Sequence, residues 1–192
     1  MEALYIPMMA LALPALYFIL QSRQLRALRI RLQQSWANLD AELERRYALI
    51  LKLAEALQAS GAPDKEAVDQ LLLMRKRCAA NTGPVTEQAS DEQHLVEALR
   101  RLLGIAESQS QLKADPRFLE LQQELVATEH SIQAARRDYN SMAREYQKKC
   151  NRFPSSVVAG MLNLPGVQFF TVPPAVAGVP NVDFPGSGRA RL

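Results

Sequence analysis

The sequence of 192 residues has few of the side chains that carry metal or redox chemistry, with two cysteines and two histidines in all. Cys78 and Cys150 are far apart in the chain and form no CxxC pair, and His94 and His130 each stand alone. A zinc site needs about four ligands at short spacings, and acid–base catalysis by histidine needs a partner within hydrogen-bond reach. The sequence therefore predicts no catalytic residues, no metal site and no cofactor.

A strong charge of either sign is also missing. The 23 basic and 20 acidic side chains give a net charge of +3, and the two signs are interspersed along the chain. Proteins that bind nucleic acid usually concentrate basic residues in one stripe that follows the phosphates. We therefore expect no nucleic-acid partner. The scarcity of cysteine fits free thiols in a reducing compartment, and a disulfide between Cys78 and Cys150 is the alternative if two helices bring them together.

The most informative feature present is an apolar N-terminus, since no charged residue lies between Ala3 and Ser22. A helix of about 20 apolar residues is about 30 Å long, which matches the hydrocarbon core of a bilayer. We interpret residues 1–22 as a transmembrane anchor. The alternative is a short buried helix of a soluble protein, and Pro7 and Pro14 each remove one backbone donor from the span.

The residues on either side of this segment predict its orientation. Glu2 precedes it, so the positive charge that opens a cleavable signal peptide is missing. Basic residues follow it, with no acidic residue before Asp40: Arg23, Arg26, Arg29 and Arg31. Because positive flanks stay in the cytoplasm, we expect a single-pass membrane protein with its N-terminus outside and its bulk in the cytoplasm. The four arginines are predicted to contact lipid headgroups.

After the anchor the apolar residues recur three, four or seven positions apart, the period of one helical face. The first set is predicted to extend the anchor helix to about Ser60: Leu25, Leu28, Leu32, Trp36, Leu39, Leu43, Ile50, Leu53 and Leu57. Gly61–Asp64 then ends it, and a second helix is predicted from there to Asn81–Pro84. A third helix has its apolar face at 95–105, and its polar start at 86–92 is predicted to fray.

The strongest period is in the fourth predicted helix, which begins at Asp115–Pro116. Its predicted seam comprises Phe118, Leu121, Leu125, Thr128, Ile132, Ala135, Tyr139, Met142, Tyr146, Lys149 and Phe153. The sequence therefore predicts an all-α protein, in which a transmembrane helix continues into an antiparallel four-helix bundle at residues 23–154. An isolated long coiled coil is the alternative, and the Pro/Gly breaks argue against it.

The segment 155–192 is predicted to be a short apolar helix, to about Leu162, followed by an irregular tail rich in proline and glycine. Phe169 and Phe170 are too apolar for a free tail. We expect the tail to lie extended over the bundle or to bind a partner.

The residues Glu129, Ile132, Arg136, Tyr139 and Asn140 form the pattern E-x-x-I-x-x-x-R-x-x-Y-N. Further matching positions are Tyr146, Phe153–Pro154, the W-x-x-L of Trp36–Leu39, the L-x-R-R of Leu43–Arg46, and Pro180–Phe184. This set resembles the bacterial LemA family. The resemblance implies a helical domain anchored in the bacterial inner membrane and linked to membrane or envelope organisation, and implies no catalytic residues. The chain departs from the family's pattern at Tyr47–Lys52, where relatives usually carry an aspartate and a proline, and at Gln147, where they carry asparagine.

Polar residues within a helical seam can have either a structural or a functional role. Asn140 either fixes the register of the helices or belongs, with Arg136 and Tyr139, to a groove that contacts a partner. Glu129 is placed to pair with Arg45 or Arg46 of the first helix. The predicted partner contacts are Arg136, Tyr139, Asn140, Phe169 and Phe170.

The predicted function is non-enzymatic. We expect the chain to present its helical domain for interaction with the lipid bilayer and with a protein partner whose identity the sequence does not give. A self-assembling homo-oligomeric scaffold and a small-molecule-binding bundle are the alternatives.

Overall fold

The computed structural model describes residues 5–60, 64–109, 112 and 114–171, with the backbone alone at 5–14. Helices are the regular elements of this part of the chain: α1 (Tyr5–Ala59), α2 (Lys65–Ala80), α3 (Val85–Glu107), α4 (Pro116–Asn151) and α5 (Ser155–Met161). The prediction of an all-α fold is confirmed.

The first helix, α1, is continuous over 55 residues, as its unbroken helical period predicted. Its apolar face is buried along most of its length, including Leu25, Leu39 and Leu53, none of which is exposed to solvent. Most of the predicted anchor, residues 1–22, lies outside the residues whose side chains are described. Among the residues that are described, no helix carries an apolar stretch long enough to cross a membrane.

Helix α2 begins with a side-chain cap. The Asp64 carboxylate accepts a hydrogen bond of 3.0 Å from the backbone N–H of Ala67, which satisfies one of the free donors of the first turn. The helix ends at Ala80, and Asn81 Oδ1 accepts from the N–H of Gly83 at 2.8 Å in the turn that follows. Both ends agree with the sequence prediction, although Gly61–Pro63 lie outside the described residues.

Helix α3 begins earlier than the sequence predicts, because the polar stretch 86–92 is helical and not frayed. The Gln88 side chain donates to the carbonyl of Gly83 at 2.8 Å and fastens the first turn. Asp91 and Glu92 are buried, at 7% and 4% exposure, and both are paired with basic side chains. Hydropathy alone could not reveal this start, since the buried face is built from ion pairs.

Helix α4 begins where predicted, with the Asp115 carboxylate accepting from the N–H of Arg117 at 2.9 Å. Its predicted seam is buried or half-buried as far as Lys149, but Phe153 is 78% exposed and its place in the seam was wrong. The helix ends at Asn151, shortly before Pro154, which has no N–H to continue it. The hydroxyl of Ser155 lies 2.7 Å from the carbonyls of Lys149 and Arg152 and shares its hydrogen between them, where helical N–H groups are missing.

Helix α5 and the tail behind it are joined by a Schellman-type end. Asn163 has a φ of 46°, in the left-handed region that asparagine tolerates. The N–H of Asn163 donates to the carbonyl of Gly160, and that of Leu164 to the carbonyl of Ala159, at 3.1 and 3.2 Å. This turn directs the following segment, residues 164–171, along α4, as expected for a tail that covers the helices; residues 172–192 lie outside the described part.

The described residues fall into two compact units. The first draws on residues 5–45, 84–86 and 130–170, and contains a small apolar cluster in which α5 packs on α1. The cluster comprises Leu25, Val158 and Ala159, with Phe18, Cys150, Leu162 and Leu164 packed against it.

The second unit draws on residues 46–60, 64–83, 87–109, 112, 114–129 and 171. Its core is filled from parts of α1, α2, α3 and α4, by Leu53, Leu57, Leu71, Leu95, Leu99, Phe118 and Leu125. This is bundle-like packing of helices. The predicted domain limits at residues 22 and 154 stay predictions.

Gly104 offers a test of helix propensity in α3. A Cβ at this exposed position would meet no atom within 4 Å, so the glycine has no packing role among the described residues. Gly104→Ala is expected to raise the free energy of unfolding by about 0.5–1 kcal/mol, because alanine loses less backbone entropy in a helix. Urea unfolding followed by circular dichroism measures this. Ala127→Gly, at an exposed position of α4, is the reverse control, and equal stability of all three proteins would contradict the argument.

Candidate functional site

A buried ionic cluster, formed by Arg46, Tyr47, Glu92 and Glu129, occupies the second unit. Arg46 of α1 is 2% exposed, and its Nη1 donates to Glu129 Oε1 of α4 at 2.6 Å. Its Nη2 pairs with Glu92 of α3, which also accepts a hydrogen bond from the hydroxyl of Tyr47. One guanidinium thus connects three helices through two carboxylates.

The sequence predicted one of the two ion pairs of this cluster. Glu129 was predicted to pair with Arg45 or Arg46, and Arg46 is the partner, whereas Arg45 is exposed. Glu92 was missed because its stretch was predicted to fray. The available signal was its position, since Glu92 precedes Leu95 by three residues and Leu99 by seven, on the buried face of α3.

A second buried carboxylate in the same unit connects α2 to α3. Asp91 accepts from Asn81 Nδ2 at 2.7 Å and pairs with Arg77 at 2.9 Å. The Arg77 side chain is 63% exposed, so this ion pair is screened by solvent and adds little stability. Its effect is to hold the start of α3 beside the end of α2.

The first unit contains a different arrangement, which we call the tail clamp: Trp36, Tyr139 and Asn140 around Phe170. The amide of Asn140 forms two hydrogen bonds with the backbone of Phe170, donating to its carbonyl at 3.0 Å and accepting from its N–H at 2.9 Å. Tyr139 donates its hydroxyl to the carbonyl of Gln168 at 2.8 Å. The side chains of α4 thereby satisfy a stretch of tail backbone that belongs to no helix or sheet.

Aromatic packing completes the clamp. The Trp36 ring of α1 meets the Tyr139 ring edge-on, with centroids 5.1 Å apart, and lies 6.1 Å from the ring of Phe170. Phe170 is 2% exposed. Aromatic pairs of this geometry add about 0.5–1.5 kcal/mol to the burial of their area. The tail is thus held by apolar contact as well as by hydrogen bonds.

Two tyrosines of α4 keep their hydroxyl protons well above neutral pH. Burial raises the pKa of Tyr139, and burial together with the neighbouring Cys150 raises the pKa of Tyr146 to about 12. The Tyr146 hydroxyl donates to the carbonyl of Pro165 at 3.5 Å, a long hydrogen bond. Both phenols therefore act as donors to the tail and not as bases.

The two cysteines are free, so the disulfide alternative is not realised. Burial raises the pKa of Cys78 to about 11 and also raises that of Cys150. Both remain protonated thiols near neutral pH, and a thiol is a far weaker nucleophile than a thiolate. Among the residues that the structure describes, no group of three or more histidine, cysteine or acidic side chains is arranged to hold a metal ion.

A family model described as the LemA family matches residues 35–184. The chain belongs to the LemA family. A search among curated proteins found no match. The matched region includes Trp36, Arg46 and the motif from Glu129 to Asn140, so the motif of this LemA protein corresponds to one acidic partner in the ionic cluster and two donors in the tail clamp.

The predicted contact residues of this LemA protein differ in burial, since some lie in the tail clamp and others are exposed to solvent. Tyr139, Asn140 and Phe170 are brought together in the tail clamp. Arg136, one helical turn before Asn140, and Phe169, next to Phe170, are both partly exposed. The arginines Arg23, Arg26, Arg29 and Arg31 are exposed on α1.

The ionic cluster predicts that alanine substitution at two adjacent arginines has very different effects on the free energy of unfolding. Arg46→Ala is expected to lower the free energy of unfolding by about 3–5 kcal/mol, because it leaves the buried Glu92 carboxylate and its neighbour Glu129 without their cation. Arg45→Ala removes an exposed charge and is expected to change stability by less than about 0.5 kcal/mol. Denaturant unfolding of both variants measures this, and similar midpoints for the two would contradict the cluster's role.

The tail clamp predicts local release of the tail. Asn140→Ala removes both hydrogen bonds to Phe170 and is expected to cost about 2 kcal/mol, since each is worth about 0.5–1.5 kcal/mol and the buried partners stay unsatisfied. Hydrogen exchange of the Phe170 amide should become much faster, while amides of α3 keep their protection. Asp138→Ala, at an exposed neighbouring position, is the control. Unchanged exchange at Phe170 would show that the clamp does not hold the tail.

Proposed function

We propose that this LemA-family protein is a non-enzymatic, single-pass protein of the bacterial inner membrane, which presents a helical domain at the cytoplasmic face and acts there by binding. The observation that carries this proposal is the continuity of α1 from Tyr5 to Ala59. The run without charged residues from Ala3 to Ser22 leads into this helix, so an anchor formed by residues 1–22 would continue into the helical domain without a linker.

The basic residues after the anchor support the proposed orientation. Four exposed arginines follow the proposed anchor and would reach anionic headgroups there: Arg23, Arg26, Arg29 and Arg31. Each basic residue near an anionic surface contributes on the order of 1 kcal/mol. Together they would keep this end of the helix at the cytoplasmic leaflet.

The polar groups of the two units favour binding over catalysis. The carboxylates of Glu92 and Glu129 are taken up by Arg46, and the hydroxyls of Tyr139 and Tyr146 donate to tail carbonyls. A general base must be free to accept a proton from its substrate. These groups instead stabilise the fold and give the tail a fixed course.

We propose that the contact face for a protein partner lies where the tail crosses α4. Arg136 and Phe169 supply its exposed charge and apolar surface, and Tyr139, Asn140 and Phe170 support them through the tail clamp. The chemistry of this face fits a partner segment with a carboxylate for Arg136 beside an apolar side chain. A second copy of the chain is the alternative partner.

Photo-crosslinking in the native membrane tests the contact face, and an alkaline carbonate wash tests the anchor. A photoreactive amino acid at Phe169 is expected to give a heteromeric adduct whose yield falls about tenfold with Arg136→Ala, the loss expected for one charge-assisted hydrogen bond. Arg137→Ala, at an exposed neighbouring position, is the matched control and should leave the yield unchanged. The protein should stay in the membrane pellet after an alkaline carbonate wash.

Each part can fail separately. Release into the carbonate supernatant would overturn the anchor. Adducts formed only between copies of the chain would contradict a separate protein partner and would indicate a self-assembling scaffold. Labelling of Ser90→Cys, on the exposed face of α3, by an impermeant maleimide in intact spheroplasts would overturn the cytoplasmic placement, with the wild-type protein as the background.

A further inference from the structure

A groove in the first unit is lined by residues from the start of α1 and from the corner between α4 and α5. Its volume is about 400 Å³. The α1 side is formed by Tyr17, Gln21 and Leu28, and the corner contributes Glu145, Lys148, Lys149, Arg152, Phe153, Pro154 and Ser155. Neither the ionic cluster nor the tail clamp uses this groove.

The groove combines positive charge with exposed apolar surface. Three basic side chains, Lys148, Lys149 and Arg152, face one acidic residue, Glu145. Phe153 is 78% exposed and Tyr17 is 36% exposed. Both rings line the groove together with the basic side chains. A surface that is both basic and apolar matches the headgroup and upper acyl region of an anionic phospholipid.

One buried polar atom in the groove wall lacks a hydrogen bond among the described residues. Gln21 Oε1 is buried, with no hydrogen-bond partner among the described residues. A buried acceptor without a donor costs about 1–3 kcal/mol. A headgroup hydroxyl, such as that of a glycerol headgroup, would supply the donor.

The position of the groove along α1 decides where its ligand comes from. Tyr17 and Gln21 belong to the last turns of the proposed anchor, and Phe18 packs against the cluster of Leu25, Val158 and Ala159. An anchor that ends at Ser22 places these turns at the membrane–water interface. The α4–α5 corner, which contacts the same turns, must then lie in the interface as well, and the outward residues of α5 fit this, with Val157 55% and Met161 69% exposed.

We propose that this groove seats an anionic phospholipid of the same bilayer, with the phosphate between Lys148 and Arg152 and an acyl chain beside Tyr17 and Phe153. The α4–α5 corner is then a second membrane contact, besides the arginines that follow the anchor. This inference rests on the proposed anchor. It adds a lipid site that fixes the first unit at the bilayer surface.

Lipid photo-crosslinking with the full chain tests the site. The protein is reconstituted into vesicles of equal phosphatidylglycerol and phosphatidylcholine, with a photoreactive amino acid at Phe153, at Tyr17 or at Leu119, an exposed residue of α4 in the second unit. Mass spectrometry then counts the two lipid adducts. Position 17 reports the lipid around the anchor, and position 119 should give few adducts.

The expected result is an adduct ratio of anionic to zwitterionic lipid several-fold higher at 153 than at 17. Lys148→Glu is expected to lower the ratio at 153 about fivefold or more, because it removes one favourable charge and adds a repulsive one. Arg144→Glu, at an exposed position of α4 outside the groove, makes the same charge change and should leave the ratio at 153 nearly unchanged.

The outcomes separate the site from the anchor. Lipid adducts at 17 but none at 153 would overturn the groove and leave the anchor standing. Equal ratios at 153 and 17, or equal effects of Lys148→Glu and Arg144→Glu, would overturn a specific anionic site. No lipid adducts at 17 would overturn the anchor itself, and the lipid site with it.

Discussion

The burial of the Arg46 guanidinium is the constraint on which the second unit depends. A cation can leave water only where carboxylates replace its solvation, and Glu92 and Glu129 do so from two other helices. Apolar packing alone would tolerate a helix that slides by a turn, whereas this cluster tolerates one register of α1, α3 and α4. It also explains why α3 begins in a polar stretch, since the residues that hold it are acids and not leucines.

The tail clamp solves a related problem in the first unit. A tail segment outside any sheet or helix must find partners for its backbone groups, and α4 supplies them through Tyr139, Tyr146 and Asn140. Ser155 does the same for the end of α4. Tyr139 and Asn140 of the LemA motif therefore hold the tail, and Arg136 of the same motif and Phe169 form the proposed contact face beside them.

The proposed functions share one physical basis, the continuity of α1. The helix that follows the proposed anchor is the same helix that contributes buried leucines to the cores, so the proposed anchor and the helical domain share one continuous element. The groove beside Tyr17 and Gln21 lies where such a helix would leave the lipid. Its mixture of basic and apolar side chains is what a membrane interface requires.

The sequence by itself determined the helices, their buried faces and most of their ends, because a 3.6-residue period and capping residues such as Asp64 and Asp115 are local signals. It also singled out Asn140 and the pairing of Glu129 with Arg45 or Arg46, and the structure selected Arg46. Only the tertiary structure decided what Asn140 binds, that Glu92 is buried, and that Phe153 lies outside the seam. Those outcomes depend on which segments distant in the chain meet, since a polar side chain is buried wherever a partner from elsewhere satisfies it.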